Sequence, residues 1–88
     1  MRKKRHEVKE MIPKGERPIM EVVYSNIEYY RKEANMTAKE LCEKAGYNYQ
    51  SFCKKTTGLP IEMRPYFIQQ FAYALDVATI CLFEDWSE

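Results

Sequence analysis

The stretch Thr37-Ala-Lys-Glu-Leu-Cys-Glu-Lys-Ala-Gly46-Tyr-Asn-Tyr-Gln-Ser-Phe-Cys-Lys-Lys-Thr-Thr-Gly58 decides the fold. It reads as two short helices joined by one tight turn at Gly46. Thr37 followed three positions later by Glu40 is a capping box: the hydroxyl accepts from the Glu40 backbone, and the carboxylate reaches back to the backbone of Thr37. Leu41, Cys42 and Ala45 form an apolar stripe with small residues on one side, which lets a neighbouring helix approach closely. Gly46 takes the positive φ that ends a helix abruptly. Tyr47 then serves as an apolar plug, Asn48 as an N-cap and Phe52 as the single buried anchor of the second helix. A short helix with one anchor presents most of its surface outward. That surface is Tyr49, Gln50, Ser51, Cys53, Lys54 and Lys55: hydrogen-bonding groups followed by positive charge, the chemistry needed to read base edges in a major groove.

Upstream, Val23, Ile27, Tyr30 and Ala34 recur at helical spacing and predict a first helix from about Ile19 to Asn35 with one buried face. Glu28 and Lys32 are expected to pair across one turn on its outer side. Downstream, Gly58 and Pro60 exclude helix from the connector at 57–64, where Leu59, Ile61 and Met63 are expected to cover the core. Pro65 suits the first turn of the next helix, and Ile68, Phe71, Ala72 and Leu75 supply its core stripe. Tyr66, Phe67 and Tyr73 add aromatic surface beyond what that stripe buries. A last helix is expected near Ala78, with Ile80, Leu82 and Phe83 apolar.

These elements, in this order, resemble the helix-turn-helix domains of the lambda repressor and Cro-like (XRE-type) family. The small residue Cys42 lies four positions before Gly46, and the apolar Phe52 six after it. Ile68-Gln-Gln-Phe71-Ala72-Tyr-Ala74-Leu75-Asp-Val77, followed by Leu82, looks like the family's fourth helix, turn and start of the fifth. The resemblance covers roughly Ile19 to Phe83 and implies an all-α fold, a compact five-helix bundle. It also implies sequence-specific binding of double-stranded DNA by a phage or bacterial repressor-like regulator, with a recognition helix at about 48–56. Tyr49, Gln50, Ser51 and Lys54 are then the base-reading candidates, and Asn48, Lys55, Thr57 and Lys39 the phosphate contacts. Gln50 suits adenine N6 and N7, and Tyr49 a thymine methyl or a phosphate. Lysines give affinity without sequence information, because a flexible point charge meets any phosphate alike. Three positions depart from the family pattern: its usual helix-opening glutamine is Ala38, a usually apolar site is Lys55, and a common glutamate is Thr56.

Size and composition fit one small globular domain: 88 residues, 45% hydrophobic, with seven tyrosines. The chain divides into a basic leader or arm at 1–18 and the helical domain at 19–88. No apolar run approaches the roughly 20 residues of a membrane span. No apolar stretch follows Met1-Arg-Lys-Lys-Arg, so these residues do not read as a signal peptide. Three cysteines without a C-x-x-C arrangement are expected as reduced thiols in a cytoplasmic protein. The lone histidine, His6, has no ligating neighbours, so neither metal nor cofactor is expected. No nucleophile, acid and base recur at catalytic spacing, and no enzymatic activity is expected.

Charge is distributed unevenly along the chain. Residues 1–18 carry seven basic and three acidic groups, net +4, whereas residues 59–88 carry one basic and five acidic, net −4. The basic end is compatible with a nucleic-acid partner. The surplus of large apolar groups near the end predicts a homodimer through Leu82, Phe83 and Trp86. A second possibility stays open: this fold also serves protein-binding modules such as antitoxins and inhibitors of bacterial defence systems. Ala38, the acidic end and the surface aromatics suit a protein partner.

Overall fold

The structure, a computed structural model, describes residues 12–53 and 63–86. Among these residues every regular element is helical: α1 (Ile19–Glu33), α2 (Ala38–Ala45), α3 (Tyr49–Cys53), α4 (Pro65–Leu75) and a closing 3-10 helix (Thr79–Phe83). No described helix is long and apolar enough to cross a membrane. The last element is a tight 3-10 turn where an α-helix was expected. The basic residues of the leader up to Lys9, and Leu59 and Ile61 of the connector, lie outside the described residues.

Three α-helices stop by the same device. Asn35, Gly46 and Asp76 all adopt left-handed backbone, with φ of 58°, 75° and 60°. The next residue then donates its N–H back into the last helical turn: Met36 to Arg31 O, Tyr47 to Cys42 O and Val77 to Ala72 O. This is the Schellman closure, which satisfies carbonyls that a helix end otherwise leaves bare. Met36, Tyr47 and Val77 are each half-buried against the core, the apolar contact that accompanies such closures. Only one of the three left-handed positions is glycine.

The core forms where the apolar stripes of four helices and the 3-10 turn converge. Val23 and Ile27 of α1, Leu41, Cys42 and Ala45 of α2, Phe52 of α3, Ile68, Phe71, Ala72, Ala74 and Leu75 of α4, and Leu82 make one buried cluster. The small residues Cys42 and Ala45 let α2 lie close to α4, and the Gln70 side-chain amide donates to the Ala45 carbonyl at the end of α2. Aromatic rings fill the volume between the helices. Phe52 meets Tyr24 at 5.1 Å and Phe71 at 5.6 Å, and Tyr47 packs edge-on to Phe67 at 4.9 Å.

The first helix differs from expectation in three details. It ends at Glu33, two residues early, because Asn35 leaves helical φ. Ala34 is exposed at the C-cap rather than buried, and Glu28 pairs with Arg31 instead of Lys32. Arg31 reaches both Glu28 carboxylate oxygens, at 3.1 and 2.6 Å, and also donates to the Met36 carbonyl at 2.7 Å. The guanidinium therefore spans from the helix side to the turn that follows.

The closing segment is strapped to α1. Asn26, the one buried polar residue among those described, donates its amide to the Leu82 carbonyl at 3.0 Å and to the Glu84 carbonyl at 2.7 Å. Arg17, just after a turn at Pro13–Glu16, pairs with Asp85 at 3.0 Å. The Tyr29 and Trp86 rings lie 5.6 Å apart.

Candidate nucleic-acid interface

The α2–α3 pair is built from both ends. At the start of α2 the Glu40 N–H donates to the Thr37 hydroxyl at 3.0 Å, and the Thr37 N–H donates to the Glu40 carboxylate at 2.9 Å. Both halves of the capping box are formed, so α2 begins at a fixed residue. At its end Gly46 turns the chain. A Cβ there would meet the Gln70 side-chain nitrogen at 3.3 Å, so glycine is favoured by φ and by space together. Asn48 then opens α3, its side-chain oxygen accepting from the Ser51 N–H at 2.9 Å.

α3 is held by a single side chain. Phe52 is fully buried between Tyr24 and Phe71, whereas Tyr49 and Gln50 are exposed and Ser51 and Cys53 half-exposed. The structure therefore brings Asn48, Tyr49, Gln50 and Ser51 to one rim of the fold. Lys39 is also exposed, near the start of α2. Lys54, Lys55 and Thr57 lie outside the described residues, as does the rest of the expected helix beyond Cys53.

Two features of this rim bear on its chemistry. The Tyr49 phenol shares a hydrogen bond with the Cys53 thiol one turn along the helix, which pushes the phenol above its ordinary pKa. The Cys53 contact favours the neutral phenol. The Gln50 side chain is exposed, and its amide offers both a donor and an acceptor. Behind the rim, burial pushes the Cys42 thiol up to about 11, so it behaves as a small apolar residue.

The residues expected to form a dimer interface separate into three environments. Leu82 is 0% exposed and belongs to the monomer core, so it is not available to a second copy. The correction follows from the 3-10 geometry, which turns Leu82 inward beneath α1 while Ile80 points out. Phe83 is half-buried beside Ile19 and Val22, and Trp86 is 57% exposed against Tyr29. Among the large hydrophobic side chains of the described residues Tyr73, on α4, is the most exposed, at 79%.

Sequence reasoning missed two positioning residues, Asn26 and Gln70. Each is polar and stands within an apolar helical stripe, at Val22-Val23-x-x-Asn26-Ile27 and Ile68-Gln-Gln70-Phe71. Asn26 is buried and Gln70 half-buried, and a polar group taken out of water must find a partner; both use backbone carbonyls at element ends. Among the described residues no group of acidic, histidine or cysteine side chains is placed to hold a metal ion. Comparison of the chain with protein-family models, with curated proteins and with solved structures gives no match.

Proposed function

We propose that the protein is a sequence-specific, double-stranded DNA-binding regulator that inserts α3 and the residues following it into the major groove. The observation that carries this reading is the mounting of α3: one buried anchor, Phe52, and a rim of Asn48, Tyr49, Gln50 and Ser51 turned to solvent. A helix so held is rigid where it meets the core and free where it meets a ligand. On this reading the α2–α3 pair is a helix-turn-helix in a lambda-repressor-like bundle. Gln50 reads adenine through paired amide hydrogen bonds. Asn48 and Lys39, with Lys55 and Thr57, meet phosphates, and Tyr49, Ser51 and Lys54 face base edges beside Gln50.

The protein acts as a homodimer whose two recognition helices lie about 34 Å apart, one helical turn of the duplex. Leu82 has no part in the pairing. The exposed Tyr73 and Ile80, on α4 and the 3-10 helix that follows, supply apolar area instead.

Binding to mixed-sequence duplex across a salt series tests the reading. A groove binder with several phosphate contacts loses about an order of magnitude or more in affinity between 50 and 200 mM salt. The second reading, a protein-binding module, is favoured by the exposure of Tyr66 and Tyr73, which a single chain leaves uncovered. It predicts almost no duplex binding at any salt.

A further inference from the structure

The later turns of α1 and the end of the closing segment carry an exposed aromatic pair set among carboxylates. Tyr29 and Trp86 are 47% and 57% exposed with their rings 5.6 Å apart. Glu33 lies one helical turn beyond Tyr29 on α1 and is exposed, and Glu84 precedes Trp86 by two residues and is also exposed. Glu84 also acts electrostatically on the Tyr30 phenol, whose ring meets that of Tyr29 edge-on at 5.2 Å. The surface is rigid because Asn26 holds the Leu82 and Glu84 carbonyls and Arg17 holds Asp85.

We propose that this acidic, aromatic edge is a docking surface for the chain's own basic leader, Arg2-Lys3-Lys4-Arg5. Two observations select that occupant. The first is charge: the edge presents the exposed carboxylates of Glu33 and Glu84, and Arg2-Lys3-Lys4-Arg5 is the densest run of cations in the sequence. The second is the tether. Within the leader Ile12 is already half-buried, and Arg17 is paired with Asp85, the residue next to Trp86. Seven to ten residues separate Ile12 from the four cations, a reach of roughly 25 to 35 Å when extended. Along α1 the advance from Ile19 to Tyr29 is only about 15 Å. The leader therefore reaches the edge of its own molecule with chain to spare, at an effective concentration in the millimolar range.

Guanidinium and ammonium groups are attracted to the faces of Trp and Tyr rings, best of all Trp, and to the carboxylates beside them. The docking assigns Trp86 to the leader rather than to a homodimer contact. It does not depend on DNA binding.

Trp86 is the only tryptophan, so its fluorescence reports this edge alone. The test compares the full chain with a variant in which Arg2, Lys3, Lys4 and Arg5 are all replaced by serine, and with Glu33→Gln/Glu84→Gln. Far-UV circular dichroism confirms that each is folded. At low ionic strength the parent should show Trp86 shielded from acrylamide, with the shielding lost as salt is raised to about 0.5 M, where charges are screened beyond a few ångströms. Both variants should lack that salt-dependent protection and match the high-salt parent throughout. Equal quenching of parent and variants at low salt overturns the proposal. So does protection that grows with protein concentration, which assigns the edge to a second copy.

Discussion

Replacing Asn26 by alanine removes one side chain and unfastens the closing segment from α1. The amide makes two hydrogen bonds, at 3.0 and 2.7 Å, to the carbonyls of Leu82 and Glu84. Each is worth about 1 kcal/mol net, and leaving the enclosed Leu82 carbonyl without a partner adds about 1 kcal/mol or more. The expected loss is therefore about 2 to 4 kcal/mol. A chain of this length has a total stability of roughly 4 to 13 kcal/mol, so the variant should fold but with much of its margin gone. With a urea slope of about 1 to 1.5 kcal/mol per molar, the unfolding midpoint should fall by roughly 2 M. Urea titration followed by circular dichroism and by Trp86 emission separates two outcomes. Coincident curves mean that the closing segment unfolds with the whole domain. An earlier Trp86 transition means that it detaches first. A midpoint within about 0.3 M of the parent, with unchanged Trp86 emission, would refute the account of Asn26 as the fastening of the closing segment.

Three further outcomes follow from the core and the turn. Phe52→Ala should cost about 3 to 5 kcal/mol in thermal or urea unfolding, because α3 has no other buried anchor; a near-parental melting temperature contradicts the mounting of α3. Gly46→Ala should cost about 1 to 2 kcal/mol, since φ of 75° is strained for a side chain and the new Cβ meets Gln70 at 3.3 Å. For Cys42, the folded thiol is raised from 9.0 to about 11, so the fold favours its neutral form. That contribution is complete below pH 9 and is lost as pH rises towards 11, so native Cys42 should resist alkylation at pH 8 while Cys53 and Cys81, both partly exposed, react. Parallel alkylation of all three thiols in the native state rules out the burial described.

The sequence was most informative where one residue type has one structural use. The Thr37–Glu40 capping box, the Asn48 cap, Gly46 and Pro65 fix helix boundaries by local chemistry, and each appears at its expected place. The apolar stripes of α2 and α4 were equally legible, because a period near 3.6 leaves few choices of buried face. Asn35 is a residue that can end a helix, and its left-handed φ stops α1 at Glu33, two residues short of the expected boundary. Asp76 was harder, because it ends α4 in the same conformation without being glycine. The partner of Glu28 was misassigned because spacing alone cannot see that Arg31 also bonds the Met36 carbonyl. The closing element was least legible. Leu82 and Ile80 are both aliphatic and nearly adjacent, and only the tight 3-10 turn decides that one is buried and the other is not. The exposed chemistry of Tyr49 and Gln50 was legible as a rim, whereas the bond that ties Tyr49 to Cys53 needed three dimensions.

The most direct measurement of DNA reading compares Gln50→Ala with the parent on a duplex enriched from a random pool and on mixed-sequence duplex. An amide-to-adenine pair exists only at the right base, so the substitution should weaken the enriched site by about 1 to 3 kcal/mol, roughly 5- to 150-fold, and leave mixed-sequence binding nearly unchanged. Lys39→Ala, at an exposed position suited to phosphate, should weaken both duplexes alike and make the salt slope shallower by about one unit. If no sequence is enriched, or if Gln50→Ala binds every duplex as the parent does, α3 does not read DNA and the protein-binding reading takes its place.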